Sequence, residues 1–284
     1  MNYLLRGWNI TFNSIKKHKL LFALIVILQI LMVASSLWLG THYVLKILAD
    51  TQGVISPLEQ ANYDSEQIKE GTPFTPDYTS IYNSYQSMLK NVTTFAVWMA
   101  VLFLVLNGII WLLSHRLFQE GVQKLNLQNL KNIIKETVPY FLKTWSAAVI
   151  LFVPAMIASY YVLIHYIRLS DSFSTVLFIL KIVLAVKLVL YYFLLVALVA
   201  AREVSWKNFA KSWVRLSIFN SSKAVLLFLL NAAALSLSFT ALYAATEYTE
   251  SIILLLATGL LTIFMVVLTR IFWIATVKEI DQSK

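Results

Sequence analysis

Apolar positions along this chain gather into long unbroken runs, separated by segments in which they recur every three or four residues. Five runs carry no Asp, Glu, Lys or Arg: Leu20–Leu45, Asn91–Ser114, Thr144–Ile167, Ala224–Thr246 and Ser251–Thr269. A sixth, Ser174–Ala201, is as apolar but contains Lys181 and Lys187. About 20 apolar residues cover the roughly 30 Å of bilayer hydrocarbon as a helix. In lipid every backbone polar group must be satisfied internally, so runs of this continuity predict spanning helices and not barrel strands. The pattern predicts an all-α, six-span polytopic membrane protein, a single membrane domain over 1–284 with a polar outer loop over about 50–90. The first apolar run is longer than the core of a secretory signal and is expected to stay as a span.

Between the spans the period changes to that of an amphipathic helix. Leu4, Trp8, Phe12 and Ile15 stack on one helical face, with Arg6, Asn9, Asn13, Lys16 and Lys17 opposite. Leu127, Leu130, Ile134, Val138 and Phe141 form a second stripe, and Trp206, Phe209, Trp213 and Leu216 a third, opposed by Lys207, Lys211 and Arg215. Helices apolar on one side and basic on the other lie in the plane of the membrane interface. The expected layout is therefore three hairpins of spans, each introduced by a cytoplasmic in-plane helix. The basic residues Lys16, Lys17, Lys131, Lys135, Lys207, Lys211 and Arg215 are the candidates for contact with anionic lipid, beside the bilayer itself and a protein partner.

The stretch WNITFNSIKKHKLL from Trp8 to Leu21, an aromatic and basic helix leading into a hydrophobic hairpin, resembles a loose group of bacterial and archaeal membrane proteins. The group includes the membrane domain attached to some glycerophosphodiester phosphodiesterases and several uncharacterised six-span families. The resemblance is one of layout over most of the chain. It implies a membrane module and not the phosphodiesterase activity, whose soluble catalytic barrel has no counterpart in these residues.

Composition agrees with lipid as the main solvent. Charged residues make up 13% and apolar residues 59% of the 284 positions, where a soluble chain carries about a quarter charged residues. The net charge of +9 is explained by its placement. The N-terminal segment and alternate loops hold Arg6, Lys16, Lys17, Lys19, Arg116, Lys124, Lys131, Lys135, Lys143, Arg202, Lys207, Lys211, Arg215 and Lys223, and the C-terminal segment adds Arg270, Lys278 and Lys284. The opposite side holds Lys46, Lys69, Lys90 and Arg168 among acids that include Asp50, Glu59, Asp64, Glu66, Glu70, Asp77, Glu247 and Glu250. By the positive-inside rule both termini are expected in the cytoplasm of a cell-membrane protein. Such a distribution is a topology signal and argues against nucleic acid as the partner.

Chemistry inside the spans rests on few residues. Lys187, near the centre of its run, is expensive in hydrocarbon and is expected to face a cavity, a bundle interior or a partner. No acid lies within any span, so its candidate partners are Asn107, Asn231, Gln29, backbone carbonyls or an anionic group. The alternative is a span that starts near Lys181, which puts Lys187 about 9 Å deep at 1.5 Å per residue, within snorkelling reach. Asn107, Asn231 and Gln29 also suit interhelical hydrogen bonds. Pro154 is expected to kink its span and Gly259 to mark a close helix contact. The absence of cysteine excludes thiolate sites, and His18, His42, His115 and His165 lack ligand spacing, so neither metal nor cofactor is expected. Without a nucleophile elbow, zincin helix or phosphate loop, the sequence favours a non-enzymatic membrane module, a scaffold or an assembly or lipid-interacting partner. The alternative is a permease subunit in which Lys187 meets an anion, although the 7 glycines and 5 prolines are few for the broken helices of transporters.

Overall fold

A computed structural model describes residues 2–60, 78–118, 127–169, 173–203 and 205–282; side chains at 58, 60, 78, 104, 127–136, 163–169, 173–176 and 282 are outside the description. The described backbone is helical, with no strand among it. In chain order the elements are α1 (Asn2–Lys17), α2 (Lys19–Gln60), α3 (Tyr78–Leu102), a π-helical turn (Phe103–Asn107), α4 (Gly108–Arg116), α5 (Leu127–Leu169), α6 (Phe173–Ala200), α7 (Trp206–Val214), a second π-helical turn (Arg215–Phe219), α8 (Ser221–Tyr248) and α9 (Ile252–Gln282). Among the described residues six helical stretches are long and apolar enough to cross a membrane: Lys19–Pro57, Thr79–Arg116, Thr137–Val162, Leu177–Ala200, Ser221–Tyr248 and Ile252–Asp281.

The chain divides into two compact units, one of Met1–Val26 with Ile109–Lys284 and one of Ile27–Gly108. Within the second, α2 and α3 run antiparallel well past the apolar runs. The Tyr43 and Phe95 rings lie 5.8 Å apart, Asn91 donates to Asp50 at 2.7 Å, and the Thr51 hydroxyl reaches the Met88 sulfur at 3.6 Å. A Cβ added to Gly53 would stand 2.6 Å from the Ser84 hydroxyl, so glycine allows the two helices to approach there. Asp50–Gln60 and Tyr78–Lys90, expected as loop, are therefore helical. The reason is local: nothing before Pro57 breaks the helix, and side chains across the pair satisfy each other's polar groups. Asp64, Glu66, Glu70 and Asp77 of the same segment, the lipid-contact candidates Lys131 and Lys135, and the turn expected near Ser170 lie outside the described residues or side chains.

In the first unit α8 and α9 pack along one another, as do α5 and α6, and α1 lies on α9. A hydroxyl hydrogen bond from Thr262 to the Ser238 carbonyl at 3.2 Å links α8 and α9 midway along. The buried core is concentrated at one end, around Trp111, Tyr140, Val196, Ala200, Phe209, Leu227, Trp273 and Val277. This is the end rich in Lys and Arg. Towards the other end the apolar side chains of α5, α6, α8 and α9 are mostly exposed on the helix surfaces.

The three amphipathic segments take three different forms. The first is the separate helix α1, closed by Lys16 and Lys17 in its last turn, where cations suit the helix dipole. Gly7 and Thr11 are buried, Gly7 against Thr276 of α9, and the Trp8 ring meets Phe272 edge-on at 5.8 Å, although Trp8 and Phe12 of the apolar stripe stay 44% and 47% exposed. The second is no separate element: residues 127–169 form one helix, α5, which runs through Pro139 and Pro154. No glycine interrupts it, and in a spanning helix the carbonyl freed by a proline can be met by neighbours. The third, α7, is capped by the Ser205 side chain accepting from the Asn208 N–H at 3.1 Å. Most of its stripe faces protein, with Phe209 and Leu216 buried and Trp213 half-buried, while Trp206 at its start is exposed. Gly259 differs from expectation, since nothing comes within 4 Å of a Cβ built there. Its position on α9 is far from the core.

The fit of α1 to α9 is tight at one point. A Cβ on Gly7 would fall 2.1 Å from the Thr276 hydroxyl and 3.0 Å from its Cβ, which no rotamer change of Thr276 fully relieves. Gly7→Ala should destabilise the docked helix by about 1–3 kcal/mol, the usual range for overpacking, read as a lower unfolding temperature in detergent. Adding Thr276→Gly should recover most of the loss; recovery absent, α1 does not dock through Gly7.

Candidate functional site

The basic end of the first unit is held by the carbonyls at the end of α6. The last four C=O groups of a helix have no intrahelical partner, and Leu198 is among them. Its carbonyl accepts from two side chains, the Tyr140 hydroxyl of α5 at 3.0 Å and Nε2 of His115 on α4 at 3.2 Å. A carbonyl can only accept, so Nε2 carries the proton and Nδ1 is left without a hydrogen-bond partner among the described residues. His115 is completely buried. Two carbonyls further back also use a second lone pair: Phe193 accepts from Trp213 Nε1 of α7 at 3.0 Å and Leu195 from Trp273 Nε1 of α9 at 3.2 Å. Four elements are thus tied to one helix end.

Cations surround the same end. Arg202 donates to the His115 carbonyl at 3.0 Å, closing the end of α4, and Lys143 donates to the Glu203 carbonyl. The Arg270 guanidinium lies 5.5 Å from the Trp111 ring centre, and the Lys278 ammonium 5.0 Å from that of Phe118. Cations near a helix C-terminus oppose its partial negative charge, and aromatic faces replace part of the water that buried cations lose. Arg215 and Asp281 form an ion pair beside them, joining the turn after α7 to the end of α9. A cavity of about 190 Å³ opens between these groups, with Arg202, Glu203, Ser212, Lys278 and Asp281 on its wall. Its walls carry both signs of charge, so it suits a small polar molecule better than an apolar one.

The residues singled out from the sequence lie elsewhere. Lys187 and Lys181 are exposed on α6, Lys187 among exposed Leu184, Val186, Leu188 and Val189. Asn231 is half-buried on α8. No hydrogen bond or ion pair is found at Lys187 or Asn231 among the described residues. Gln29, buried, and Asn107, half-buried at the close of the first π-helical turn, belong to the second unit. Of the candidate lipid contacts, Lys16, Lys17, Lys207 and Lys211 are exposed, while Arg215 is partly so and paired with Asp281. Among the described residues no three His, Asp or Glu side chains gather as a metal site would require. In the sequence Arg202, Lys143, Arg270 and Lys278 stand out only as topology signals. A signal was available, since His115, Tyr140, Arg202 and Trp273 each stand where an apolar run meets its basic flank.

The chain matches no protein-family profile, no curated protein and no solved structure.

Because Leu198 has two donors, either can cover for the other. Tyr140→Phe or His115→Phe alone should lower stability by about 0.5–1.5 kcal/mol, the net worth of one hydrogen bond. The double variant should lose more than the sum, since it strands a buried carbonyl, with a coupling of about 0.5–3 kcal/mol in a double-mutant unfolding cycle. Strict additivity would show that the two donors do not share an acceptor.

Proposed function

We propose that this protein is a non-enzymatic integral membrane module of the cell membrane, with its basic end and both termini in the cytoplasm, where it meets anionic lipid or a partner protein. The six apolar helices supply the membrane-embedded body, arranged in this reading as three hairpins. The observation that carries the reading is the way α1 is mounted. Gly7 lies against Thr276 of α9 and one edge of Trp8 against Phe272, 5.8 Å between ring centres, while Trp8 and Phe12 stay about half exposed beside Lys16, whose ammonium sits 5.2 Å from the Phe12 ring. A docked helix that still presents aromatic and basic side chains is suited to the headgroup layer. The buried polar groups at the basic end support the same reading, because His115, Tyr140, Trp213 and Trp273 are spent on main-chain carbonyls.

A permease-subunit reading draws on one observation: Lys187 is exposed among apolar side chains with no acid beside it. An anionic group would meet it there, as would the headgroups if the side chain snorkels.

The chain has no cysteine, so single spin labels can be placed without background. Labels at Leu5→Cys and Phe12→Cys should be more accessible to oxygen than to a water-soluble nickel chelate in anionic vesicles, and labels at Asn9→Cys and Asn13→Cys the reverse. Four labels with the same aqueous accessibility would contradict a membrane-facing α1.

A further inference from the structure

The turn between α7 and α8 is wider than an α-helical turn. The Asn220 N–H bonds the Arg215 carbonyl at 3.1 Å, five residues back, and the Arg215–Phe219 segment is π-helical. Such turns are frequent at functional sites. Beside this one lies a groove of about 640 Å³ lined by Ala210, Lys211, Val214, Arg215, Phe219 and Asn220. The charged heads of Lys211 and Arg215, four residues apart, stand at one part of a wall that is otherwise largely apolar. Phe219 is 79% exposed and Val214 is also exposed, an arrangement that burial against another apolar surface would improve.

We propose that this groove is a discrete binding site for an anionic phospholipid. The phosphate lies against Lys211 and the solvent-facing side of Arg215, and the first methylenes of an acyl chain run over Val214 and Phe219. Three observations favour that occupant. Of the two cations on its wall only Arg215 has a carboxylate partner among the described residues, Asp281, so the groove keeps positive charge. Two residues past Phe219 the chain enters α8, charge-free from Ala224 to Thr246, which puts the groove at the mouth of a spanning helix, at headgroup height. Six lining residues are also too few for a stable protein interface, which takes about 20–30 residues a side. The proposal rests on α8 crossing the bilayer and deepens the module reading by naming the ligand and its seat.

The competing account is diffuse attraction, in which every interfacial cation contributes alike. Native mass spectrometry of the full chain in detergent, titrated with phosphatidylglycerol, phosphatidylcholine or inorganic phosphate, separates the two. The wild type should retain one phosphatidylglycerol in preference to phosphatidylcholine, and phosphate should not displace it. Lys211→Gln should weaken retention about fivefold, the effect of one cation at the surface, and Phe219→Ala should weaken it as well. Lys223→Gln, which removes an equal charge outside the groove, where the ammonium lies 5.9 Å from the Tyr3 ring centre, should change it less than Lys211→Gln does. All of Lys211, Phe219 and Lys223 are exposed, so the variants keep the fold. Equal losses from Lys211→Gln and Lys223→Gln would overturn the site in favour of diffuse charge. No preference for phosphatidylglycerol, or displacement by phosphate alone, would overturn the lipid. The spin-label accessibilities of α1 are independent, so a failed groove and a failed module reading give different results.

Discussion

A helix that ends among other helices leaves carbonyls that water does not reach, and an unmet buried acceptor costs about 1–3 kcal/mol. At the end of α6 the Leu198 carbonyl is met by His115 and Tyr140, and just before it Trp213 and Trp273 add second bonds to the Phe193 and Leu195 carbonyls, the four side chains arriving from α4, α5, α7 and α9. Each of these elements is thereby fixed in register to α6. The same helix end is partially negative, so Arg202, Lys143 and Lys278 can gather near it. Cations that the sequence offers as topology signals thus also hold helix ends together, through Arg202 on the His115 carbonyl and Lys143 on the Glu203 carbonyl.

This junction explains why the core sits where it does. Val196, Ala197, Ala200, Leu227, Ile274 and Val277 are buried around it, whereas the far ends of α5, α6 and α8 expose large apolar side chains. In water that would be a liability; in hydrocarbon, packing between helices gains little over packing with lipid. Tight protein packing is needed mainly where the helices emerge and polar main chain must be shielded. Two short helices finish that end in opposite ways. α7 and the turn after it bury Phe209 and Leu216 and keep Lys207 and Lys211 outside, while α1 docks at Gly7 and along one edge of Trp8 and leaves Trp8 and Phe12 about half exposed.

The spans were legible because the bilayer imposes a length and forbids charge, and both are visible in Leu20–Leu45 or Ala224–Thr246 without any partner being known. Helix ends were not. α2 continues to Gln60 and α9 to Gln282, since leaving hydrocarbon does not stop a helix that has no breaker. Pro139 was no boundary either, because α5 absorbs it. The amphipathic period showed where apolar faces lie but not what would cover them. The stripes at Trp8 and at Phe209 look alike in sequence, yet Trp8 and Phe12 stay about half exposed where Phe209 and Leu216 are buried. The junction was hidden for a different reason: a carbonyl has no sequence signature, so the role of His115 and Tyr140 depends on where α6 ends. Lys187 drew notice by its charge, and the structure leaves it on the surface of α6, away from the buried polar groups.

If the α6 carbonyls organise this protein, the basic end should be the last part to open. Amide hydrogen exchange of the detergent-solubilised chain under increasing sodium dodecyl sulfate measures this directly. The amides of 195–201 in and just after α6 and of 271–277 in α9 are predicted to stay protected after those of 229–237, in the middle of α8, have exchanged. Earlier exchange at 195–201 and 271–277 than at 229–237 would contradict a structure anchored at that junction.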